Sequence, residues 1–286
     1  MLIGNLFNDL PKKLKLHEFR NLSFDSRYCK NKDIFFSIKG TSKNGDKFID
    51  EAIKNGAKTI VSNNNFQGFK NRILYIKSEN VRSKLSYAAS KLYNKKPNNI
   101  IGVTGTNGKS SIANFYYQIL RNNNKKSTSI GTLGIKSKLY NQNLNITTLD
   151  PINLHRSLQL IKNKKINNVI LEASSHGLKQ SRLDHLKFNC SIFTNLSRDH
   201  LDYHKTFKDY LNSKLKLFRL LMKKNSTIIF DNDLPTSKIL KQIGKSKKLK
   251  SITIGVKNSD LNIYKIYYRK ELILVEFKYK KKKLFN

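Results

Sequence analysis

The feature that most narrows what this chain can become is residues 100–111, IIGVTGTNGKSS. A short apolar run leads into spaced glycines, then a lysine and two hydroxyls. Residues 100–104 read as a buried strand and Gly105-Thr106-Asn107-Gly108 as a loop. Lys109 onward reads as a helix, with Ile112, Phe115, Ile119 and Leu120 at helical spacing. Strand, glycine loop and helix start together form a phosphate cradle. Glycine lets backbone N–H groups approach an anion, and the helix N-terminus adds partial positive charge. Lys109 can reach the β- and γ-phosphates of a nucleotide, and the hydroxyl of Ser110, followed by Ser111, can bind Mg²⁺. The fit to G-x-x-x-x-G-K-[ST] is imperfect, because Val103 stands where the first glycine belongs. A turn that only joins a strand to a helix is the alternative. The flanking strand and helix favour nucleotide binding, with ATP on Gly105, Thr106, Asn107, Gly108, Lys109, Ser110 and Ser111.

The chain of 286 residues has room for about two domains. It contains no apolar run of ~20 residues, so no membrane span is expected. Cys29 and Cys190 stand alone without metal-ligand spacing, which fits a reduced, cytoplasmic setting. The net charge of +37 could mark a nucleic-acid binder. However, the lysines spread through the whole chain beside many Asn and Ile residues, with no interleaved aromatic platform. The charge therefore reads as a composition bias, and no nucleic acid is expected. The run at 280–283 reads as a solvated end.

Strands and helices alternate along the chain, which predicts an α/β protein. Residues 33–38, 59–61 and 73–76 read as strands. A helix carrying Phe48, Ile49, Ala52 and Ile53 stops at Gly56. Ser78 is a candidate cap for a helix bearing Val81, Leu85, Ala88, Ala89 and Leu92. Lys95-Lys96-Pro97-Asn98-Asn99 breaks the pattern and marks a domain boundary, giving domains 1–96 and 97–286. In the second, residues 129–134, 167–171, 188–194, 227–230, 251–255 and 272–277 read as strands. Glu172 closes one of them. In open α/β sheets ligands bind at the carboxyl ends of the strands, so a carboxylate there, across from a phosphate loop, suits Mg²⁺. Two histidines and two aspartates crowd residues 199–204, without any standard zinc spacing.

TGTNGKS at 104–110, DSR at 25–27, EASSHGLKQSRLD at 172–184 and TNLSRDHLDYH at 194–204 resemble the Mur ligases, the ATP-dependent amino-acid ligases of peptidoglycan precursor synthesis. Folylpolyglutamate synthase belongs to the same superfamily. Within the family the likeness is to the branch that adds the third peptide residue. The resemblance implies a small N-terminal α/β domain that holds the UDP end of the substrate, followed by a P-loop-type ATPase domain with a mostly parallel sheet flanked by helices. It implies substrate contacts at Phe24, Ser26, Thr41, Ser42, Lys43, Thr147, Thr148, Ser174, Gln180 and Arg182. Leu149 replaces a common proline beside the paired threonines. Metal ligation falls on Ser110, Glu172, His200 and Lys214, the last as N6-carboxylysine formed with CO₂. A neutral amine is needed for that, which a cationic neighbourhood favours. The catalytic set is Lys109, His200 and Lys214; His176 is given no chemistry.

The implied reaction joins an amino acid, meso-diaminopimelate or L-lysine, to UDP-MurNAc-L-Ala-D-Glu at the expense of ATP, with Mg²⁺, through an acyl phosphate. The family's C-terminal ligase domain has no counterpart in this sequence. A UDP-precursor- and ATP-binding fragment without turnover, or another Mur or folylpolyglutamate-type ligase, is therefore the alternative. A cytoplasmic monomer is expected.

Overall fold

The computed structural model describes residues 1–40, 44–144, 146–270, 272–279 and 282–285, the last four by backbone alone. Thr41, Ser42 and Lys43, expected at the UDP end of the substrate, lie outside the described residues, as do Asn145, Lys280 and Lys281. The chain forms two compact units. The first combines Met1–Lys96 with Asp150–Leu160 and Gln180–His185. The second combines Pro97–Leu149, Ile161–Lys179 and Leu186–Asn286.

The first unit is built on strands β1 (Leu22–Ser23), β2 (Ile34–Phe36), β3 (Thr59–Ser62), β4 (Gly68–Lys70) and β5 (Ile73–Lys77), in the order β1-β2-β3-β5-β4. All pairings are parallel except that of β4, which closes the edge antiparallel to β5. Successive side chains of a strand face opposite sides. Ile34 and Phe36 therefore pack with Val61, Leu74 and Ile76 against Leu85, Ala88 and Ala89 of helix Val81–Leu92. Phe35, on the other side, packs with Ile60 and Ile73 against Ile49 and Ala52 of helix Ile49–Lys54. The cap of helix Val81–Leu92 is Asn80, whose side chain accepts from the Ser83 N–H at 3.0 Å, and not Ser78. Ser78 instead follows the end of β5, where its N–H donates to Ser62 O of β3 at 2.8 Å.

The second unit holds a sheet of β6 (Asn99–Thr104), β7 (Ser127–Gly131), β8 (Gly134–Ser137), β9 (Asn168–Glu172), β10 (Phe188–Phe193), β11 (Met222–Asp231), β12 (Lys250–Gly255), β13 (Leu261–Tyr268), β14 (Ile273–Tyr279) and β15 (Lys282–Phe285). Their order is β15-β14-β13-β12-β11-β10-β6-β9-β7-β8. Across the sheet from β13 through β6 to β7 every pairing is parallel, while β8 joins β7, β14 joins β13 and β15 joins β14 antiparallel. A parallel sheet covered on both faces needs near-continuous apolar strands. Val103, Val169, Ile170, Ile228 and Phe230 meet that need and are buried. The α/β reading with a mostly parallel sheet agrees with this architecture.

The helix after the glycine loop, Lys109–Asn122, differs from expectation in the face it buries. Ile112, Ala113 and Tyr116 pack on the sheet, whereas Phe115 and Ile119 are 59% and 60% exposed. Apolar residues line two adjacent stripes of this helix. The loop that launches it from β6 decides which stripe meets the sheet. Among the described residues no helix is long and apolar enough to cross a membrane.

Candidate active site

The site begins with strand order. β10, β6 and β9 are adjacent and parallel, with Phe193 opposite Thr104 and Val103 opposite Glu172. Their carboxyl ends therefore bring Thr194, the loop at 105–108 and Glu172 to one edge of the sheet, the edge at which open α/β sheets bind ligands. β7 lies on the far side of β9 and adds Gly131 and Thr132 to the same edge.

The loop is held tightly. A Cβ on Gly105 would meet Thr194 Oγ1 at 1.8 Å, and Gly105 and Gly108 have φ of +149° and +82°. Only glycine suits both demands. Thr194 Oγ1 donates to Asn107 O at 2.6 Å, while the Asn107 N–H donates to Asn195 Oδ1 at 2.9 Å and the Thr106 N–H to Asn195 O at 3.0 Å. Those two N–H groups are thus committed within the protein. The first four N–H groups of a helix have no partner inside it. Here they belong to the Lys109 end of helix Lys109–Asn122, and they remain for an anion.

Two lysines converge on the loop. Lys109 Nζ donates to Gly105 O at 3.0 Å and Thr106 O at 2.7 Å. Lys214, from helix Phe207–Leu220, is 1% exposed and donates to Gly105 O at 2.6 Å. Burial, reinforced by the Lys109 charge, pushes the Lys214 amine down to about 7. Burial also lowers the pKa of Lys109, against the pull of Glu172 and Asp199.

Glu172 is the second focus. Ser110 Oγ donates to its Oε2 at 2.9 Å, the Thr132 N–H to Oε1 at 2.9 Å and Thr132 Oγ1 to Oε2 at 3.2 Å. Thr147 and Thr132 share a hydroxyl contact at 3.0 Å. One residue on, the buried Thr148 donates to Glu172 O at 2.9 Å and meets Ser174 Oγ at 2.9 Å. The Ser174 hydroxyl also accepts the Gly177 N–H at 3.0 Å. Carboxylate and hydroxyl oxygens of this kind suit a hard cation such as Mg²⁺. Among the described residues no group of three or more His, Cys, Asp or Glu stands together as a metal-binding set. The expected set of Glu172, His200 and Lys214 gains a second carboxylate only when Lys214 carries CO₂.

His200 caps helix Leu201–His204 in the left-handed region, φ +52°, with Nε2 3.4 Å from Asp199 Oδ2. A non-glycine residue there is uncommon and often marks a functional position. Its ring meets that of His176 edge-on at 4.8 Å, and His176 lies against Tyr203 at 4.1 Å. His204 is wholly buried, its Nδ1 3.6 Å from Asp209 Oδ2; burial lowers its pKa.

Of the expected substrate contacts, Thr147, Thr148 and Ser174 lie in the second unit beside Glu172. Phe24, Ser26, Gln180 and Arg182 lie in the first. Phe24 is exposed. Ser26 is buried, and its hydroxyl donates to Glu51 Oε2 at 2.6 Å. Arg182 Nε and one terminal nitrogen donate to Gln180 Oε1 at 3.1 and 2.7 Å. Sequence reading missed Gly131, Thr132, Thr194, Asn195, Asp199 and Tyr210. Only Thr194, Asn195 and Asp199, inside the 194–204 segment, carried any signal.

A sequence profile described as the Mur ligase middle domain matches residues 103–285. The UDP-N-acetylmuramoyl-L-alanyl-D-glutamate--2,6-diaminopimelate ligase of Rickettsia montanensis is 37% identical over 263 residues, 91% of this chain and 54% of that protein. The protein of the same name from Bradyrhizobium diazoefficiens is 38% identical over 259 residues, 91% and 53%. The chain thus spans about half the length of these curated relatives. A solved structure of a ligase of that name matches with a TM-score of 0.85 and 25% identity, over 100% of this chain and 59% of that one. The MurF ligase from Thermotoga maritima in complex with ADP, at TM-score 0.57 and 19% identity over 93% and 57%, is alike in fold. A profile match over most of the chain, joined to a phosphate loop braced by the 194–204 segment, makes this chain a member of the Mur ligase family.

Proposed function

We propose that this chain carries the nucleotide- and precursor-binding parts of an ATP-dependent ligase that adds 2,6-diaminopimelate to UDP-MurNAc-L-Ala-D-Glu in the cytoplasm. The observation that carries the reading is the convergence of Lys109 and the buried Lys214 on Gly105 O, beside a carboxylate pinned by the first hydroxyl of the loop's helix. The names of the Rickettsia and Bradyrhizobium relatives support the substrate and 2,6-diaminopimelate over L-lysine.

The chemistry follows from the donors. The free N–H groups at the start of helix Lys109–Asn122 hold phosphate oxygens, together with Lys109 once it leaves the loop carbonyls. The γ-phosphoryl group passes to the D-glutamate side-chain carboxylate. The amine of the incoming amino acid attacks the acyl phosphate, and phosphate leaves through a tetrahedral intermediate. Such transfer depends on positioning and charge neutralisation. Mg²⁺ supplies neutralisation of phosphate charge when bound. Ser110, Glu172, His200 and carbamylated Lys214 would hold it. Lys214 is suited to carbamylation: its neutral amine, abundant near pH 7, attacks CO₂ and releases a proton as the N–C bond forms. Thr147, Thr148 and Ser174 face the muramoyl-peptide end. Phe24, Ser26, Thr41, Ser42, Lys43, Gln180 and Arg182 serve the UDP and peptide portions.

The test is a ligase assay on the purified chain with ATP, Mg²⁺, bicarbonate, UDP-MurNAc-L-Ala-D-Glu and either diaminopimelate or lysine, followed by mass. Product with diaminopimelate alone establishes the proposal. Because the chain spans 54% of the Rickettsia relative, a second reading is binding without turnover. It predicts saturable binding of both ligands and no product. Neither product nor binding rejects both.

A further inference from the structure

We infer that Tyr210 is a positioning residue that sets the spacing between the phosphate loop and Lys214, through one contact on each. The inference rests on the phosphate-loop reading above. Tyr210 is wholly buried. Its hydroxyl lies 3.1 Å from Thr106 Oγ1, and its ring centroid lies 4.3 Å from Lys214 Nζ. The two residues are four apart on helix Phe207–Leu220, so they share one face of that helix.

Thr106 Oγ1 also accepts the Ser197 N–H at 3.0 Å and lies 3.3 Å from Ser197 O. Whichever hydroxyl supplies the proton, the Tyr210–Thr106 hydrogen bond joins helix to loop. Lys214 Nζ in turn donates to Gly105 O at 2.6 Å. Two neighbouring loop residues, Gly105 and Thr106, are therefore tied to a single turn of one helix. A helix is stiff and a glycine loop is not. The phenol and the amine hand the order of the helix to the loop. Behind the phenol ring, His204 lies at 5.1 Å and His200 at 6.2 Å, which leaves the ring little room to move.

Tyr210→Phe deletes only the hydroxyl and retains the buried ring. Amide hydrogen exchange of the full chain, read by mass over 105–111 and 195–199, reports loop order without requiring ligand. A titration with AMP-PNP and Mg²⁺ reports the site. The variant is expected to exchange severalfold faster in both segments and to bind AMP-PNP about fivefold more weakly, the size of one ordinary hydrogen bond. On a Thr106→Val background the same change is expected to add nothing, while Thr106→Ser, which keeps a hydroxyl, retains wild-type exchange. Wild-type exchange in Tyr210→Phe, or losses from Tyr210→Phe and Thr106→Val that add in full, would overturn the inference. If the wild type fails to bind AMP-PNP while Tyr210→Phe still speeds exchange, the phosphate-loop reading fails and the positioning role stands.

Discussion

The carboxylate of Glu172 occupies the space that a side chain on Gly131 would need. A Cβ at Gly131 would come within 2.0 Å of Oε1 and 2.3 Å of Cδ. The absence of one methyl group on β7 thus lets a carboxylate lie flat between the Ser110 and Thr132 hydroxyls.

Gly131→Ala is expected to push Glu172 out of this position. Forcing an extra methyl into a packed site costs roughly 1–3 kcal/mol. A lowered thermal midpoint together with loss of Mg²⁺-dependent nucleotide binding would match. A variant that kept metal-dependent binding would show that Glu172 is not held for a cation.

Lys109→Ala should leave the fold intact and empty the phosphate site of its mobile charge. Hydrogen bonds to charged groups contribute about 1.5–3 kcal/mol, so nucleotide affinity should fall on the order of ten- to a hundredfold. Isothermal titration with ATP, beside an unchanged circular dichroism spectrum, checks this. Undiminished affinity would remove Lys109 from the site.

The buried Lys214 amine, pushed down to about 7, should react with CO₂ at neutral pH. In ¹³C-bicarbonate the wild type is expected to show a carbamate carbon resonance that Lys214→Met lacks. Identical spectra for the two proteins would leave the lysine unmodified.

His155 predicts how the first unit responds to acid. Burial, with Lys96 and His185 nearby, pushes its pKa down to about 3 from the ordinary 6.5. The fold keeps the ring neutral where the unfolded chain protonates it. Between pH 6.5 and pH 3 the unfolded state therefore binds the extra proton, and stability falls as the pH drops through that window. His155→Leu should lose less stability than wild type between pH 7.5 and pH 4.5, read as the difference in thermal midpoints. Equal losses would place the acid sensitivity elsewhere.

Local sequence determines a good deal here, for local reasons. Apolar runs of strand length, glycine at positive φ and a lysine behind Gly108 announce a strand, a loop and a helix before any long-range contact forms. The alternation of strands with helices leads to a parallel sheet by geometry alone. Boundaries were less legible. Ser78 has the right chemistry for a cap, yet its N–H is bonded to Ser62 O just past the end of β5, and the cap falls to Asn80.

What tertiary structure alone decided is which of these pieces meet. Thr132 has no motif of its own; it reaches Glu172 because β7 pairs with β9. Tyr210 and Lys214 are ordinary helix residues by sequence, and in so lysine-rich a chain nothing local distinguishes Lys214 from its neighbours. The amine becomes special only because packing removes it from water and holds it 2.6 Å from Gly105 O, beside a second ammonium. Backbone preference acts over a few residues and can be read along the chain. Desolvation and Coulomb coupling depend on what surrounds a group in space, so they exist only once the chain has folded.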